Sequence, residues 1–154
     1  MQQPKLNKEI PLAQLVPIVT KLIKQQSISA ITISGGEPLE QADELLLLIR
    51  EVGNTCEDIL LYTGYTLAQV RKLLSPKSFA DLQRYVSVLI DGRYVDGLND
   101  NKSPLIGSTN QQIHYFNQNM REQYEYYMRR TGRQVQNIHY EGKLVSVGIH
   151  NKES

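Results

Sequence analysis

The 154-residue sequence contains a single cysteine and no tryptophan, and it has no long hydrophobic run. One cysteine excludes an internal disulfide framework, and it excludes zinc or iron–sulfur sites built from several thiolates of this chain. The net charge of +1 gives no strong field toward nucleic acid or an acidic surface. No apolar stretch is long enough to span a membrane, and the polar residues 1–8 do not resemble a signal peptide. We therefore expect a cytoplasmic protein with neither a nucleic-acid nor a membrane partner.

The composition is that of a single globular domain. Hydrophobic residues make up 40% of the chain and charged residues 21%, which provides enough apolar side chains for a core and too few charges for a disordered protein. We divide this domain, residues 1–154, into a core of alternating helices and strands at 10–95 and a second part at 96–154.

Apolar side chains recur with helical spacing in three segments that alternate with short apolar or β-branched runs. The predicted helices cover Pro11–Gln26, Leu39–Val52 and the segment after a Thr66–Gln69 capping box, and the predicted strands are Ile28–Ser34, Ile59–Thr63 and Tyr85–Ile90. Pro17 lies inside the first helix, so we expect a kink there or a later start. The short β-branched run Ile28–Ser34 is typical of a buried strand. The alternation predicts a parallel α/β sheet with right-handed crossovers.

The last third of the chain has a different pattern. Residues 96–112 are rich in Gly, Asn, Ser and Pro and predict a long loop. His114–Arg130 predicts an aromatic-rich helix, and Val135–Tyr140 with Leu144–Ile149 predicts a hairpin whose two-residue turn is Glu141-Gly142. The tyrosines of that helix, at positions 124, 126 and 127, either pack it against the sheet or form a partner surface, and packing is the commoner role.

Each predicted strand of the core ends in a turn that contains glycine and a polar side chain. The turns are Ser34–Pro38, Thr63–Tyr65 and Asp91–Arg93. The carboxyl ends of parallel strands meet at one edge of the sheet, where ligands bind in α/β proteins. Structural alternatives stay open, because Thr63 and Tyr65 are also candidates for capping the third helix, and Asp91-Gly92 is a candidate for an ordinary turn.

The first of these turns has the composition of a ligand-binding turn. The Gly35-Gly36 pair lets backbone groups approach a ligand closely, and Glu37 adds a carboxylate, so the turn suits an ammonium group better than a phosphate. Neither the Walker lysine nor the G-x-G-x-x-G pattern is present. On these residues alone, a simple connection between a strand and a helix is an equal alternative.

Five segments, in order along the chain, resemble the radical S-adenosylmethionine superfamily. The sequence from Ile31 to Gln41 reads Ile-Thr-Ile-Ser-Gly-Gly-Glu-Pro-Leu-Glu-Gln, which is similar to the superfamily's Gly-Gly-Glu strand end. The further similar segments are Leu60–Leu67, Val88–Val95, Pro104–Gln111 and Val145–Ile149. Together they resemble, more narrowly, the small activating proteins of glycyl-radical enzymes, above all the activators of anaerobic ribonucleotide reductase.

The resemblance implies a fold and a cofactor site. The fold would be α/β, a partial (β/α) open barrel of the radical S-adenosylmethionine type with its first strand missing, plus a C-terminal helix and β-hairpin. With that strand missing, Ile28–Ser34 would form an open edge, which favours self-association. For the amino group of S-adenosylmethionine, the implied residues are Gly35, Gly36, Glu37 and Pro38. Beside its ribose or methionine portion they are Thr63, Gly64 and Tyr65, and Asp91 and Gly92 line the same cavity. The segment Gly107–Gln111 would be a supporting loop, with Gly107, Ser108 and Asn110 as its site residues.

The chemistry implied by the resemblance depends on a Cys-x3-Cys-x2-Cys loop that binds a [4Fe–4S] cluster, whose open iron takes S-adenosylmethionine. An electron from the cluster, supplied by reduced flavodoxin or a similar donor, cleaves the sulfonium and gives a 5′-deoxyadenosyl radical. That radical installs a glycyl radical on a partner such as anaerobic ribonucleotide reductase.

One cysteine cannot replace that loop. Cys56 falls between the second helix and the second strand, at the sheet edge opposite the glycine turns, where a lone, partly buried thiol is common. His114, His139 and His150 lack metal-ligand spacing and are interpreted as surface or packing residues. We therefore expect a truncated chain that begins after the cluster loop, holds no metal or catalytic residue and is inactive alone, so whether it is an enzyme stays open. The alternative is a non-catalytic remnant that binds S-adenosylmethionine or a partner.

Overall fold

The computed structural model of the chain describes residues 10–129, 132–140, 143–149 and 151. Within these ranges the α-helices are α1 (Leu12–Gln25), α2 (Ala42–Gly53), α3 (Leu67–Leu73), α4 (Pro76–Tyr85) and α5 (Arg121–Arg129). The strands are β1 (Ala30–Ile33), β2 (Asp58–Tyr62), β3 (Val88–Asp91), β4 (Gln112–Tyr115), β5 (Val135–Tyr140) and β6 (Lys143–Gly148). Short 3-10 helices occupy Pro38–Gln41, Asp96–Leu98 and Gln118–Met120. The fold is therefore of the mixed α/β class, as predicted.

The first four strands form one sheet in the order β1-β2-β3-β4. β1, β2 and β3 are parallel, which confirms the predicted core, and β4 runs antiparallel to β3. The predicted helix at His114–Arg130 is wrong over its first part, because Gln112–Tyr115 is a strand and α5 begins only at Arg121. β3 offers this segment a row of backbone hydrogen-bond partners, which outweighs its helical pattern.

Local sequence signals explain where the helices begin. α1 runs through Pro17 rather than starting after it. The Thr66–Gln69 capping box is present with both of its hydrogen bonds. Beyond α3, Ser75 caps a separate helix, α4, whose first residue is Pro76. The Ser75-Pro76 pair is typical of a helix N-terminus. The apolar spacing used for the prediction did not show that α3 and α4 are two helices.

Each face of the four-stranded sheet carries a hydrophobic cluster. Helices α1 to α4 cover one face, and α5 with the loop before β4 covers the other. The central strand residues in these clusters are Ile59, Leu61 and Leu89 on the first face, and Leu60, Val88 and Ile90 on the second. Burying an aliphatic side chain of this size contributes about 1.5–3 kcal/mol, so both faces hold the strand ends in place.

Tyr124 attaches α5 to the sheet. Its side chain is buried, and its hydroxyl donates a 2.9 Å hydrogen bond to the buried carboxylate of Asp58. Burial, reinforced by the Asp58 charge, raises the pKa of Tyr124, so the phenol keeps the proton that it donates. Packing against the sheet is thus confirmed for Tyr124, whereas Tyr126 is 61% exposed and Tyr127 lies at the rim of a cleft described below.

β1 lies at the edge of the sheet and pairs only with β2 among the described strands. Its residues alternate between exposed and half-buried, so the expectation of a buried strand is wrong. The physical reason is that no second strand of the described residues covers its free edge. Among the described residues, β1 therefore forms an edge that is rich in β-branched side chains.

We expect this chain to self-associate through β1. The outer edge of β1, which contains Ile31 and Ile33, has no partner strand among the described residues, so it is a template for pairing with a second copy. Lysine at an exposed edge position opposes such pairing, so Ala30→Lys should lower the average mass measured by sedimentation. Ala13→Lys, at an exposed position of α1, is the matched control and should leave the mass unchanged. An unmodified chain that sediments as a single monomeric species would contradict this expectation.

β5 and β6 pair as a separate antiparallel hairpin, from Val135 opposite Gly148 to Tyr140 opposite Lys143. This pairing confirms the predicted hairpin. The predicted turn at 141–142 lies outside the described residues, as do His150 and the side chain of His139. In the described part of the chain, no helix is both long and apolar enough to cross a membrane.

Candidate functional site

The three glycine turns meet at one open cleft of about 1740 Å³ along the carboxyl ends of β1, β2 and β3. Pro38 borders a smaller cavity of about 380 Å³ beside α1 instead. Gly107 and Ser108 are buried and do not reach the surface of the cleft. The expected residues that do line the cleft are Gly35, Gly36, Glu37, Thr63, Gly64, Tyr65, Asp91, Gly92 and Asn110.

The first turn presents open backbone to the cleft. Gly35 has a φ of +119°, which residues with a Cβ atom rarely adopt. No described residue has an atom within 4 Å of the positions that Cβ atoms of Gly35 and Gly36 would occupy. Neither residue makes a hydrogen bond to another described residue, so their amides and carbonyls are available to a ligand.

Glu37 ties the first turn to the second. One carboxylate oxygen accepts hydrogen bonds from the Leu39 amide at 3.0 Å and from the Thr63 hydroxyl at 2.8 Å. The other oxygen accepts from the Gly64 amide at 2.7 Å. Hydrogen bonds to a charged group are about twice as strong as neutral ones. The carboxylate therefore serves mainly as a clamp between the turns, rather than as a free acceptor for an ammonium group.

Thr63 belongs to this clamp and does not cap α3. Its side chain is buried, and its hydroxyl oxygen accepts a hydrogen bond from the Tyr65 amide at 3.2 Å. The residue that caps α3 is Thr66. The second turn is thus held by its own hydrogen bonds and by Glu37, with its backbone facing the cleft.

Asp91 joins three elements beside the cleft, where its side chain is only 4% exposed. Its carboxylate accepts hydrogen bonds from the Leu67 amide, in the first residue of α3, at 2.6 Å, and from the Gln112 amide of β4 at 3.3 Å. Gly92, with a φ of +96°, donates its amide to the Tyr65 carbonyl at 3.0 Å. These contacts fix the third turn against the second turn. A turn that only reversed the chain would not need them.

The structure adds His114 to the site. Leu89 and His114 are directly opposite in the antiparallel pair, and Asp91 lies two residues beyond Leu89, so the Asp91 and His114 side chains project from the same face. Nε2 of His114 is 2.9 Å from Oδ2 of Asp91. The approach is close but is not aligned as a hydrogen bond. His114, expected only to face solvent or pack, therefore borders the cleft and contacts its buried carboxylate.

The loop at 107–111 is hydrogen-bonded to the third turn. The side-chain amide of Gln111 accepts hydrogen bonds from the backbone amides of Gly107 and Ser108, and it donates to the Gly92 carbonyl at 2.9 Å. The side-chain amide of Asn110 donates to the Arg93 carbonyl at 2.8 Å. Gln111 lies in the predicted supporting segment but was not named as a site residue. It is the central link between this loop and the third turn, because its side-chain amide provides both a donor and an acceptor.

Other lining residues of the cleft are apolar or aromatic, among them Tyr62, Leu105 and Tyr127. The Tyr62 hydroxyl donates a 2.6 Å hydrogen bond to the Leu105 carbonyl, and burial, with a smaller effect of Tyr127, raises the pKa of Tyr62. Outside the lining, the Arg133 guanidinium donates to the Ser103 and Ile106 carbonyls. Residues from the hairpin region that line the cleft are Gln134, Gly148 and Ile149. The cleft therefore combines open polar backbone with aromatic side chains.

The described residues do not fit an iron–sulfur cluster. Cys56 is the one cysteine of the sequence; it is buried, and its thiol donates to the Ser29 and Asp58 carbonyls. It lies just before β2, at the sheet edge opposite the cleft, as predicted. In the parts of the chain that the structure covers, no group of three or more His, Cys, Asp or Glu side chains could hold a metal ion. One thiolate cannot replace the three that the expected cluster loop would supply.

Comparison with known proteins assigns the chain to a family. Residues 1–114 match the family model described as a 4Fe-4S single cluster domain, which covers well over half of the chain. The chain belongs to this family. An iron–sulfur cluster is therefore a feature of the 4Fe-4S single cluster domain family, although this member has only Cys56. No solved structure gives a significant match.

Curated relatives of this 4Fe-4S single cluster domain chain share the name anaerobic ribonucleoside-triphosphate reductase-activating protein. The Vibrio cholerae protein is 37% identical over 98 residues, which are 61% of this chain and 58% of the relative. The protein of Escherichia coli K12 is 34% identical over 97 residues, which are 60% and 58% of the two chains. The protein of enterobacteria phage T4 is 30% identical over 95 residues, which are 59% and 56%. The match therefore spans less than two thirds of each relative.

Proposed function

We propose that this chain provides the S-adenosylmethionine-binding part of a radical S-adenosylmethionine activating protein. The observation that carries the proposal is the first turn. There Gly35 and Gly36 present backbone groups that no other described residue hydrogen-bonds, and they face a cleft shared by the other two glycine turns. On this proposal, β1, β2 and β3 with their helices are part of a (β/α) open barrel in a single domain, followed by α5 and the β5–β6 hairpin.

S-adenosylmethionine matches the mixed lining of the cleft. Its ammonium and carboxylate groups pair with carbonyl acceptors and amide donors, such as those at Gly35 and Gly36. Its adenosine end suits the surface around Tyr65 and the third turn. When bound, the cofactor supplies a carbon–sulfur bond that a single electron can cleave. The residues of this chain bind and orient it, with Glu37 and Asp91 holding the turns in position.

For the whole protein, the activity we propose is installation of a glycyl radical on an anaerobic ribonucleotide reductase in the cytoplasm, with reduced flavodoxin or a similar electron donor. The family match and the shared name of the relatives support the partner. Since the described residues do not fit the cluster, we assign no step of the radical chemistry to any of them.

Calorimetry with S-adenosylmethionine tests the proposal. We expect the chain to bind it, and Gly36→Val to weaken binding at least about tenfold, because the new side chain fills the open space beside the turn. Gly97→Val is the matched control, since its Cβ position is also open and Gly97 lies outside the cleft. Absence of binding heat at about 1 mM ligand, or equal losses in the two variants, would refute the proposal.

A further inference from the structure

The buried carboxylate of Asp91 has one partner that can carry a positive charge among the described residues, and that partner is His114. Backbone amides of Leu67 and Gln112 donate to the same carboxylate but bring no charge. A buried carboxylate without a balancing partner is costly, so the histidine is energetically coupled to the carboxylate.

The contact places a ring nitrogen beside the carboxylate. Nε2 of His114 lies 2.9 Å from a carboxylate oxygen, a distance at which an N–H on this nitrogen can donate to that oxygen. This buried nitrogen nevertheless lacks an aligned hydrogen-bond partner in the described part of the chain. Buried polar atoms of this kind are uncommon in folded proteins and call for an explanation. A small rotation of the ring or of the carboxylate would align the bond, and the ring borders the cleft where a ligand could favour that rotation.

We propose that His114 is a positioning residue of the cleft, which acts through Asp91 to set the second and third turns around the bound ligand. The inference rests on the proposed function, in which that ligand is S-adenosylmethionine. Asp91 accepts a hydrogen bond from the amide of Leu67, which begins α3 directly after the second turn. The Gly92 amide donates a hydrogen bond to the Tyr65 carbonyl. A shift of the Asp91 carboxylate therefore moves both turns together. The first turn is connected to this unit through Glu37 and has open backbone of its own.

Two substitutions at His114 test this role. His114→Leu removes the ring nitrogen and should weaken S-adenosylmethionine binding about tenfold. His114→Gln keeps an N–H donor of similar reach and should restore affinity to within about threefold of the unmodified chain. Tyr126→Leu, which replaces an exposed ring on α5, is the control and should bind normally. In the unmodified chain, the ring nitrogen resonances of His114 should shift when S-adenosylmethionine is added, a readout that does not depend on a variant folding.

The outcomes separate this inference from the proposed function. Normal affinity of His114→Leu, no recovery in His114→Gln, or unchanged His114 resonances on ligand addition would each overturn the positioning role. If the unmodified chain binds no S-adenosylmethionine, the proposed function fails. The positioning role is then decided by the amide resonances of Tyr65 and Gly92 in the free protein. These resonances must shift in His114→Leu and must have their unmodified positions in His114→Gln. Any other pattern overturns the positioning role.

Discussion

Replacing Asp91 with alanine is expected to lower the free energy of unfolding by about 3–5 kcal/mol. The Leu67 amide, the Gln112 amide and the His114 ring all face its carboxylate. Because Asp91 is only 4% exposed, water cannot readily take the place of the lost oxygens, and each of these groups is left without its acceptor or counter-charge. For a chain of this length the melting temperature should fall by on the order of 10 °C, measured by circular dichroism.

Two further variants show whether burial and charge cause this loss. Asp91→Asn keeps an acceptor oxygen for the Leu67 amide but loses the charge facing His114, so roughly half of the destabilisation should remain. Asp43→Ala removes an exposed carboxylate in the first turn of α2 and should cost at most about 1 kcal/mol through the helix dipole. A melting temperature for Asp91→Ala within about 2 °C of the unmodified chain would contradict the assignment of Asp91 as a joint between three elements.

The parts of the fold that could be predicted depend on short stretches of sequence. The Thr66–Gln69 capping box needs only four consecutive residues, and it is present as expected. The meeting of the glycine turns at one edge needs only the alternation of strands and helices, because parallel neighbours end on the same side. From that rule alone, Gly35, Thr63 and Gly92 are expected at one edge of the sheet, and all three line the same cleft.

The parts that could not be predicted depend on pairing between distant segments. Gln112–Tyr115 becomes a strand only because it lies beside β3, and the same register brings His114 to Asp91. The exposure of β1 likewise depends on which strands are its neighbours, and a short β-branched run does not show this. The linking role of Gln111, within the predicted supporting segment, was not predicted, because a glutamine in a polar loop has no local pattern that marks it as a link.

Glu37→Ala should weaken S-adenosylmethionine binding by about a hundredfold, the largest effect on the ligand of any single side chain in the cleft. The loss follows from the three hydrogen bonds that its carboxylate accepts, which hold the first turn against the second. Without them, the open backbone of Gly35 and Gly36 is no longer fixed relative to the second turn, so the two ends of one ligand cannot be held together.

Glu40→Ala is the matched control for Glu37→Ala. Glu40 is exposed, borders the same cleft and carries the same charge, so its removal changes the local electrostatics without opening the clamp. We expect it to bind within about threefold of the unmodified chain. Hydrogen exchange supplies a test that needs no ligand: the Gly64 amide, which donates to Glu37 at 2.7 Å, should exchange faster in Glu37→Ala and at its normal rate in Glu40→Ala. Equal effects of the two variants on binding and exchange would mean that negative charge at the cleft, rather than the connection between two turns, is what Glu37 provides.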